Sequence, residues 1–593
     1  VGAVIAGLLA AVLVGCGVPD SGMPVVDGTA GRPEAGEPED RPAPPKPEDA
    51  SNSADTVRLY FHAASGAAGK LEDHVKNFLS PDGQRRFRPS TSGRIQVIRL
   101  EDLRGVSGHD HQVNAVGQVV GELTSTGILL PVSRRFSHRF KLKEQTAEDI
   151  RGVYRKVWLI DNPPPEFLLS TKALAEQYDQ LSLYFANRSS TVSLIPDLRY
   201  MPKALEWRRQ RSTLVDWLLA GPSPRLSAVA QRGFPDNTKR RGTVYLDDAG
   251  QVVVVNLSSE AEEAEGNGAG LMLAQLVWTM APRMEERRLQ LRIEDRVVSY
   301  DERITHTRTD FASFNAVPQQ ASDAAAYYIN KGRVARLSSD EADPPAVLDK
   351  SDYNSRVVSA ALSQDESVAA VVRRDTTGWS LWLGRRPRFG DISLYRRIGD
   401  LPSGPIGRPV WAAGIGAGGS LLVTVAGALY RLDLRRLNVE RVDTSPLRRV
   451  TAVSVAPDGF RIALVSGGRL YVAGLAARGD ESVVEPLNSP VTEHIRHAVD
   501  VAWDSEHTLA FVDHAQGARE LRQVNIDGLR AKRLFYSGSV GGPEQVAGYP
   551  TLNDSSPVLV THDARVWAVY SENAGPPPGM AGAPEGSSPF FAF

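Results

Sequence analysis

The hydrophobic positions change their spacing several times along the chain, and each change marks a unit. Val1 to Gly15 is one short apolar run. From Gly17 to Ser53 no apolar periodicity is present, and Pro, Gly, Asp and Glu dominate, as in Arg41-Pro42-Ala43-Pro44-Pro45-Lys46-Pro47. Such a composition cannot bury enough apolar surface to offset the entropy of ordering. Residues 17–54 are therefore expected to be a disordered Pro/acidic tether, reaching roughly 35 Å as a coil and about 120 Å when extended. At Asp55 helical spacing begins: Val57, Leu59, Tyr60, Phe61 and Ala64 lead to Val75, Phe78 and Leu79, and Ser80-Pro81-Asp82-Gly83 reads as a stop. Alternating stretches follow at Ile95–Leu100, Val113–Leu123, Arg135–Leu142 and Tyr154–Ile160, closed by Pro163-Pro164-Pro165. Helices followed by strands predict an N-terminal α+β domain over 55–165.

Residues 181–306 form a second unit. Leu183-Tyr184-Phe185-Ala186 reads as a strand, with Val192–Ile195 as its partner before Pro196. A helix is predicted from about Lys203 to Leu219, stopped by Ala220-Gly221-Pro222. Gly242–Leu246 and Val252–Leu257 alternate around Asp247-Asp248-Ala249-Gly250, a hairpin signal. A second helix carries Leu271, Leu273, Leu276, Val277 and Met280, and Gln290–Ile293 and Arg296–Ser299 close the unit. This order predicts a mixed sheet with helices packed on it.

After Phe311 the texture changes to short strands. Tyr327–Leu337 reads as a hairpin around Lys331-Gly332, and first strands then recur roughly every 43 to 51 residues, the period of a propeller blade. Turns recur with them, as in Ala456-Pro457-Asp458-Gly459, where Pro sets φ and Gly is free to take a positive one. Radial closure protects sheet edges that an open array would expose. Residues 325–573 are expected to be an all-β propeller of five or six blades, with Tyr327–Leu337 as a candidate closing element. Residues 574–593, rich in Pro and Gly, are expected to be a disordered tail.

Charge adds little to this picture. The 68 basic and 70 acidic residues leave a net charge of −2, so no basic surplus marks a nucleic-acid partner. A hydrophobic content of 42% is ample for packed cores. No P-loop, HExxH, SxxK or GxSxG motif is present, and no catalytic, cofactor or metal site is assigned. Gly414-Ile415-Gly416-Ala417-Gly418-Gly419 fits GxGxxG by letter, but a strand rather than a helix is predicted after it. His109-Asp110-His111 lacks further ligands and reads as a polar loop, and the acidic run Glu260, Glu262, Glu263, Glu265 as a solvated one.

The only cysteine changes more. The first apolar run is too short to span a bilayer, which takes roughly 20 residues, and suits a signal-peptide core. It ends in Leu13-Val14-Gly15-Cys16, which resembles a bacterial lipobox. Residues 1–16 are read as the signal peptide and lipobox. The resemblance implies that Cys16 becomes an S-diacylglyceryl cysteine with an N-palmitoyl group and anchors the chain to the outer face of the cell membrane. Two acyl chains hold where one is marginal.

Tyr184-Phe185, Leu218-Leu219-Ala220-Gly221-Pro222, Val254-Val255-Asn256-Leu257-Ser258 and Gln275-Leu276-Val277-Trp278-Thr279-Met280 come in an order that resembles the GerMN domain of sporulation and cell-envelope proteins. The whole order of lipobox, tether, α+β domain, mixed α/β GerMN-like domain and propeller, with Arg333-Val334-Ala335-Arg336-Leu337 near the propeller's start, resembles the LpqB family of actinobacterial lipoproteins. That resemblance implies a non-enzymatic accessory of a sensor histidine kinase ectodomain of the MtrB type, acting through the MtrA–MtrB system on envelope homeostasis and division. The alternatives are a cell-wall glycan or peptide binder with peptidoglycan as its partner, hydrolytic through the propeller cleft, and a structural envelope spacer.

Overall fold

The structure, a computed structural model, describes residues 44–593 except 67, 91–92, 107–108, 149–153, 190–192, 265–267, 282–283, 285–286, 315–324, 338–347, 350–351, 389, 413–418, 479–480, 486–490, 493, 516, 535–541, 550–556, 571–572 and 593. Leu13, Val14, Gly15, Cys16 and most of the tether lie outside the described residues. No helix among the described residues is long and apolar enough to cross a membrane.

The N-terminal helices are α1 (Ser53–Ala63), α2 (Leu71–Asn77) and α3 (Pro81–Arg86). Asn52 caps α1 by accepting from the Asp55 N–H at 2.9 Å, which satisfies one of the orphan donors at a helix start. The strands are β1 (Ile95–Val106), β2 (His109–Leu123), β3 (Leu129–Glu148), β4 (Tyr154–Ile160) and β5 (Phe167–Ser170), in sheet order β4-β3-β2-β1-β5. Tyr60 and Phe61 of α1 pack edge-to-face on Phe140 of β3 at 5.8 and 6.0 Å. The expected boundary at residue 165 falls short, because β5 pairs in parallel with β1, Ile95 opposite Phe167. A four-residue strand buried throughout carries no alternation to read.

A helix α4 (Thr171–Gln177) leads into β6 (Tyr178–Asn187), which pairs antiparallel with β7 (Leu194–Pro202). The expected end of the partner strand before Pro196 is corrected, since β7 runs through Pro196 to Pro202. Helix α5 (Trp207–Ala220) ends at Gly221, whose φ of +96° suits only glycine comfortably. Beyond it lie β8 (Ala230–Gln231), β9 (Tyr245–Leu246), β10 (Val252–Leu257), α6 (Gly268–Met280), β11 (Arg288–Ile293) and β12 (Arg296–Val297). Instead of one mixed sheet there are two, β7-β6-β8 and β12-β11-β10-β9, the second mixed because β10 and β11 run parallel. Helix α6 is almost wholly buried between them and α5, which explains its near-continuous apolar sequence.

Among the described residues the propeller has six blades. Five are four-stranded antiparallel sheets. Their inner strands are Val357–Leu362, Val410–Ala412, Val450–Val455, Ala498–Trp503 and Gln545–Ala547. The sixth blade joins the two ends of the domain: β13 (Ala326–Asn330) pairs with β14 (Arg333–Arg336) on one side and with Ser587–Phe591 on the other. The expected disordered tail over 574–593 is therefore overturned. Ala574–Gly575 completes the fifth blade, and Ser587–Phe591 is the inner strand of the sixth. Ser588 bridges its neighbours on both sides, its hydroxyl donating to the Val358 carbonyl at 2.8 Å and its N–H to Gln545 Oε1 at 2.9 Å. Tyr327 stacks on Phe590 at 5.5 Å. Ring closure removes the unpaired edges of the first and last blades.

Candidate functional site

Tyr184 lies on β6 opposite Pro196, which has no N–H to offer across the ladder. Its backbone groups turn to α6 instead. The Tyr184 N–H donates to Thr279 Oγ1 at 3.1 Å, and its carbonyl accepts from Gln275 Nε2 at 2.8 Å. Two residues of the Gln275–Met280 stretch thus serve to set Tyr184 in place. Trp278, from the same stretch, lies 5.7 Å from the Tyr184 ring.

The Tyr184 hydroxyl then crosses to the propeller and donates to Glu506 Oε1 at 2.8 Å. Ser182, two residues earlier on the same strand face, donates to Glu506 Oε2 at 2.7 Å, and His507 Nε2 lies 2.7 Å from the Ser182 oxygen. Burial pushes the Glu506 carboxyl up, opposed by the two hydroxyl donors. Burial, with Arg461 nearby, pushes His507 far down, so its ring is neutral. Neutral His507 donates through Nε2 to Ser182, leaving the Ser182 proton for Glu506. Arg461 anchors the group from beneath: it pairs with Asp458 at 2.5 Å, donates to the Glu506 carbonyl at 2.9 Å and lies 4.9 Å from the Trp503 ring. Asp458 belongs to the Ala456–Gly459 turn, and its Oδ1 also accepts from the N–H groups of Phe460 and Arg461.

A serine, a histidine and an acid in one cluster invite comparison with a hydrolytic triad, but the connections are wrong. In a triad the acid holds the far nitrogen of the histidine. Here Glu506 bonds the serine, and His507 Nδ1 is buried without a partner among the described residues. The cluster is a seam between domains. A second seam point follows on β7, where the Tyr200 hydroxyl donates to Asp527 at 2.6 Å and accepts from Gln180 at 2.9 Å, while Arg225 donates to the Ile526 carbonyl.

The α+β domain is fastened to the same unit. Buried Arg199 pairs with Asp197 at 2.7 Å, donates to the Gly221 carbonyl at 2.9 Å and reaches the Thr126 carbonyl at 2.8 Å. Trp217 donates to the Ser125 carbonyl at 3.2 Å. The Leu218–Pro222 stretch thus ends a helix and supplies an acceptor to this clamp.

All six inner strands line the propeller axis. The axial cavity holds about 70 Å³, with Trp411, Trp503 and Phe591 on its walls. Arg408 spans it, donating to the Val546 carbonyl at 2.6 Å and approaching Asp500 at 3.6 Å. This space is far below the roughly 300–1,000 Å³ of small-molecule sites, and no carboxylate lines it among the described residues.

Of the residues singled out in the sequence, Cys16 and its lipobox lie outside the described residues, as do Gly414 to Gly418 and Glu265. Ser420–Val425 after the glycine run is a strand, as expected. His109, Asp110 and His111 begin β2, and no group of three metal-ligating residues occurs among the described residues. Glu262 of the acidic run pairs with Arg296. Sequence reasoning missed the seam. Its members lie more than 300 positions apart, and nothing local marks Glu506, whose burial is a property of the packed domains.

Residues 332–578 match the family described as the lipoprotein LpqB beta-propeller domain. Residues 182–299 match the one described as sporulation and spore germination. The lipoprotein LpqB of Rhodococcus jostii is 24% identical over 90% of this chain and 88% of its own. That of Rhodococcus opacus is 25% identical over 88% and 86%. Lipoprotein LpqB of Streptomyces coelicolor is 24% identical over 87% and 86%. These relatives carry the name of a lipoprotein, not of an enzyme. A TolB structure from Acinetobacter baumannii aligns over 45% of this chain and 66% of its own, at 16% identity and a TM-score of 0.34.

Proposed function

We propose that this chain, which resembles the LpqB lipoproteins over most of its length, is held by a lipidated Cys16 on the outer face of the cell membrane. There it acts as an accessory of a sensor histidine kinase ectodomain of the MtrB type, in envelope homeostasis and division. The observation that carries this reading is the buried polar seam through Ser182, Tyr184 and Glu506. A seam of this kind makes the GerMN-like unit and the propeller one docking body with fixed surfaces. Confinement of that body and a kinase to one membrane raises their effective concentration, so a weak contact is occupied. A ligand that favours one kinase state over another shifts the balance by the difference in its two affinities.

The test is cross-linking in intact membranes from photoreactive side chains placed on the propeller and the GerMN-like unit of the full chain. Recovery of a kinase ectodomain is expected, and loss of that product with Cys16→Ser. Recovery of peptidoglycan fragments without a kinase would overturn the reading, and undiminished membrane retention of Cys16→Ser would overturn the anchor.

A further inference from the structure

Where the α+β domain, the GerMN-like unit and the propeller meet, a cleft of about 470 Å³ remains open. Four cationic side chains line it, Arg99 of β1, Lys172 of α4, and Arg522 and Arg530 of the propeller, and no Asp or Glu lines it among the described residues. Their charges are only partly compensated. Arg99 is half-buried and makes no hydrogen bond or ion pair with a described residue; burial works against its charge, and Glu101 nearby offsets part of that. Arg522 reaches Asp513 through Nη1 at 3.2 Å, but its Nε is buried without a partner among the described residues. Lys172 has only a loose contact with Glu176 at 3.8 Å. A partly desolvated guanidinium without an anion is costly, and its planar fork matches phosphate oxygens. The rest of the lining is partly apolar, including Phe511 and Leu529, as expected of a small-molecule site.

We propose that this cleft binds a small phosphorylated ligand of about the size of a glycosyl phosphate, its phosphate between Arg99, Arg522 and Arg530 and its body against Phe511 and Leu529. The volume lies within the roughly 300–1,000 Å³ of small-molecule pockets, which suits a sugar with one phosphate. The phosphate can come from a soluble sugar phosphate or from a phospholipid headgroup. Because the site is built from three units, its occupant also bridges them.

The full chain carrying Cys16→Ser, so that the anchor does not contribute, is titrated calorimetrically with glucose 1-phosphate, glycerol 3-phosphate, inorganic phosphate and glucose. It is also co-sedimented with phosphatidylglycerol and phosphatidylcholine vesicles. Binding of the sugar phosphate but not of glucose is expected, weakened at least tenfold in Arg99→Gln and in Arg530→Gln, the latter an exposed position where folding is not at stake. Binding confined to phosphatidylglycerol vesicles, with the same loss in both variants, would assign the phosphate to a headgroup and support the site. The proposal fails if neither a phosphate ester nor the anionic vesicle binds, if both variants bind undiminished, or if inorganic phosphate binds as tightly as the ester.

Discussion

Tyr184→Phe isolates a single bond of the interdomain seam. The ring keeps its place beside Trp278, and Tyr184 backbone bonds to Gln275 and Thr279 are untouched. Only the hydroxyl that donates to Glu506 at 2.8 Å is lost. A hydrogen bond to a charged group is worth about 1.5–3 kcal/mol. Because Glu506 keeps its Ser182 donor at 2.7 Å, the lower part of that range applies, about 2 kcal/mol. The same loss drives the Glu506 carboxyl further up, since the Tyr184 bond is one of the contacts holding it down. Urea unfolding of the wild type, Tyr184→Phe, Glu506→Gln and the double variant forms a cycle, and a coupling of about 1 kcal/mol or more is expected. If Tyr184→Phe lies within about 0.5 kcal/mol of the wild type, or the two changes add independently, the seam is not holding the units together and the single-body argument fails.

Arg461→Gln leaves Asp458 buried without its cation and removes a donor from the Glu506 carbonyl; a loss of about 3–5 kcal/mol is expected, read from the urea midpoint. Truncation after Gly586 removes the inner strand Ser587–Phe591 and exposes the edge of β13. The expected result is a broadened, non-coincident unfolding transition with dye binding to exposed apolar surface, and an unchanged midpoint would count against closure by that strand. His507 is held neutral in the fold, its pKa far below the ordinary value. The unfolded chain therefore takes up a proton below about pH 6.5 that the folded one refuses, and stability falls with acid by up to about 1.4 kcal/mol per pH unit. Glu506 and Asp527, both raised by burial, act in the opposite sense: their contribution is full below their unfolded values and is lost as pH rises through the folded ones. His507→Gln should accordingly gain on the wild type between pH 7 and pH 5, and parallel pH profiles would refute the assignment.

Local rules carried much of the architecture. The 3.6-residue spacing from Val57 to Ala64 became α1, and the hairpin turn Asp247–Gly250 joined β9 to β10 as an antiparallel pair. The blade period emerged because each blade repeats the same short-range pattern of strand and turn. The Ala456–Gly459 turn took its expected form, Gly459 at φ +76°. The misreadings share a cause. Pro196 and Pro202 argue locally against a strand, yet α6 and the adjoining units bury β7 and supply partners for its neighbour. The tail from Ala574 has the composition of a free end, and what orders Ser587–Phe591 is an open sheet edge more than 250 residues upstream.

The sequence alone therefore determined the order of units and their fold classes, since each is written in short-range spacing and composition. The tertiary structure decided what joins them. Glu506, Tyr184 and Ser182, Arg199 and Thr126, and the cations around the three-way cleft become neighbours only when separate units pack. A buried charge or hydroxyl is informative through its partner, and the partner's position along the chain follows no local rule.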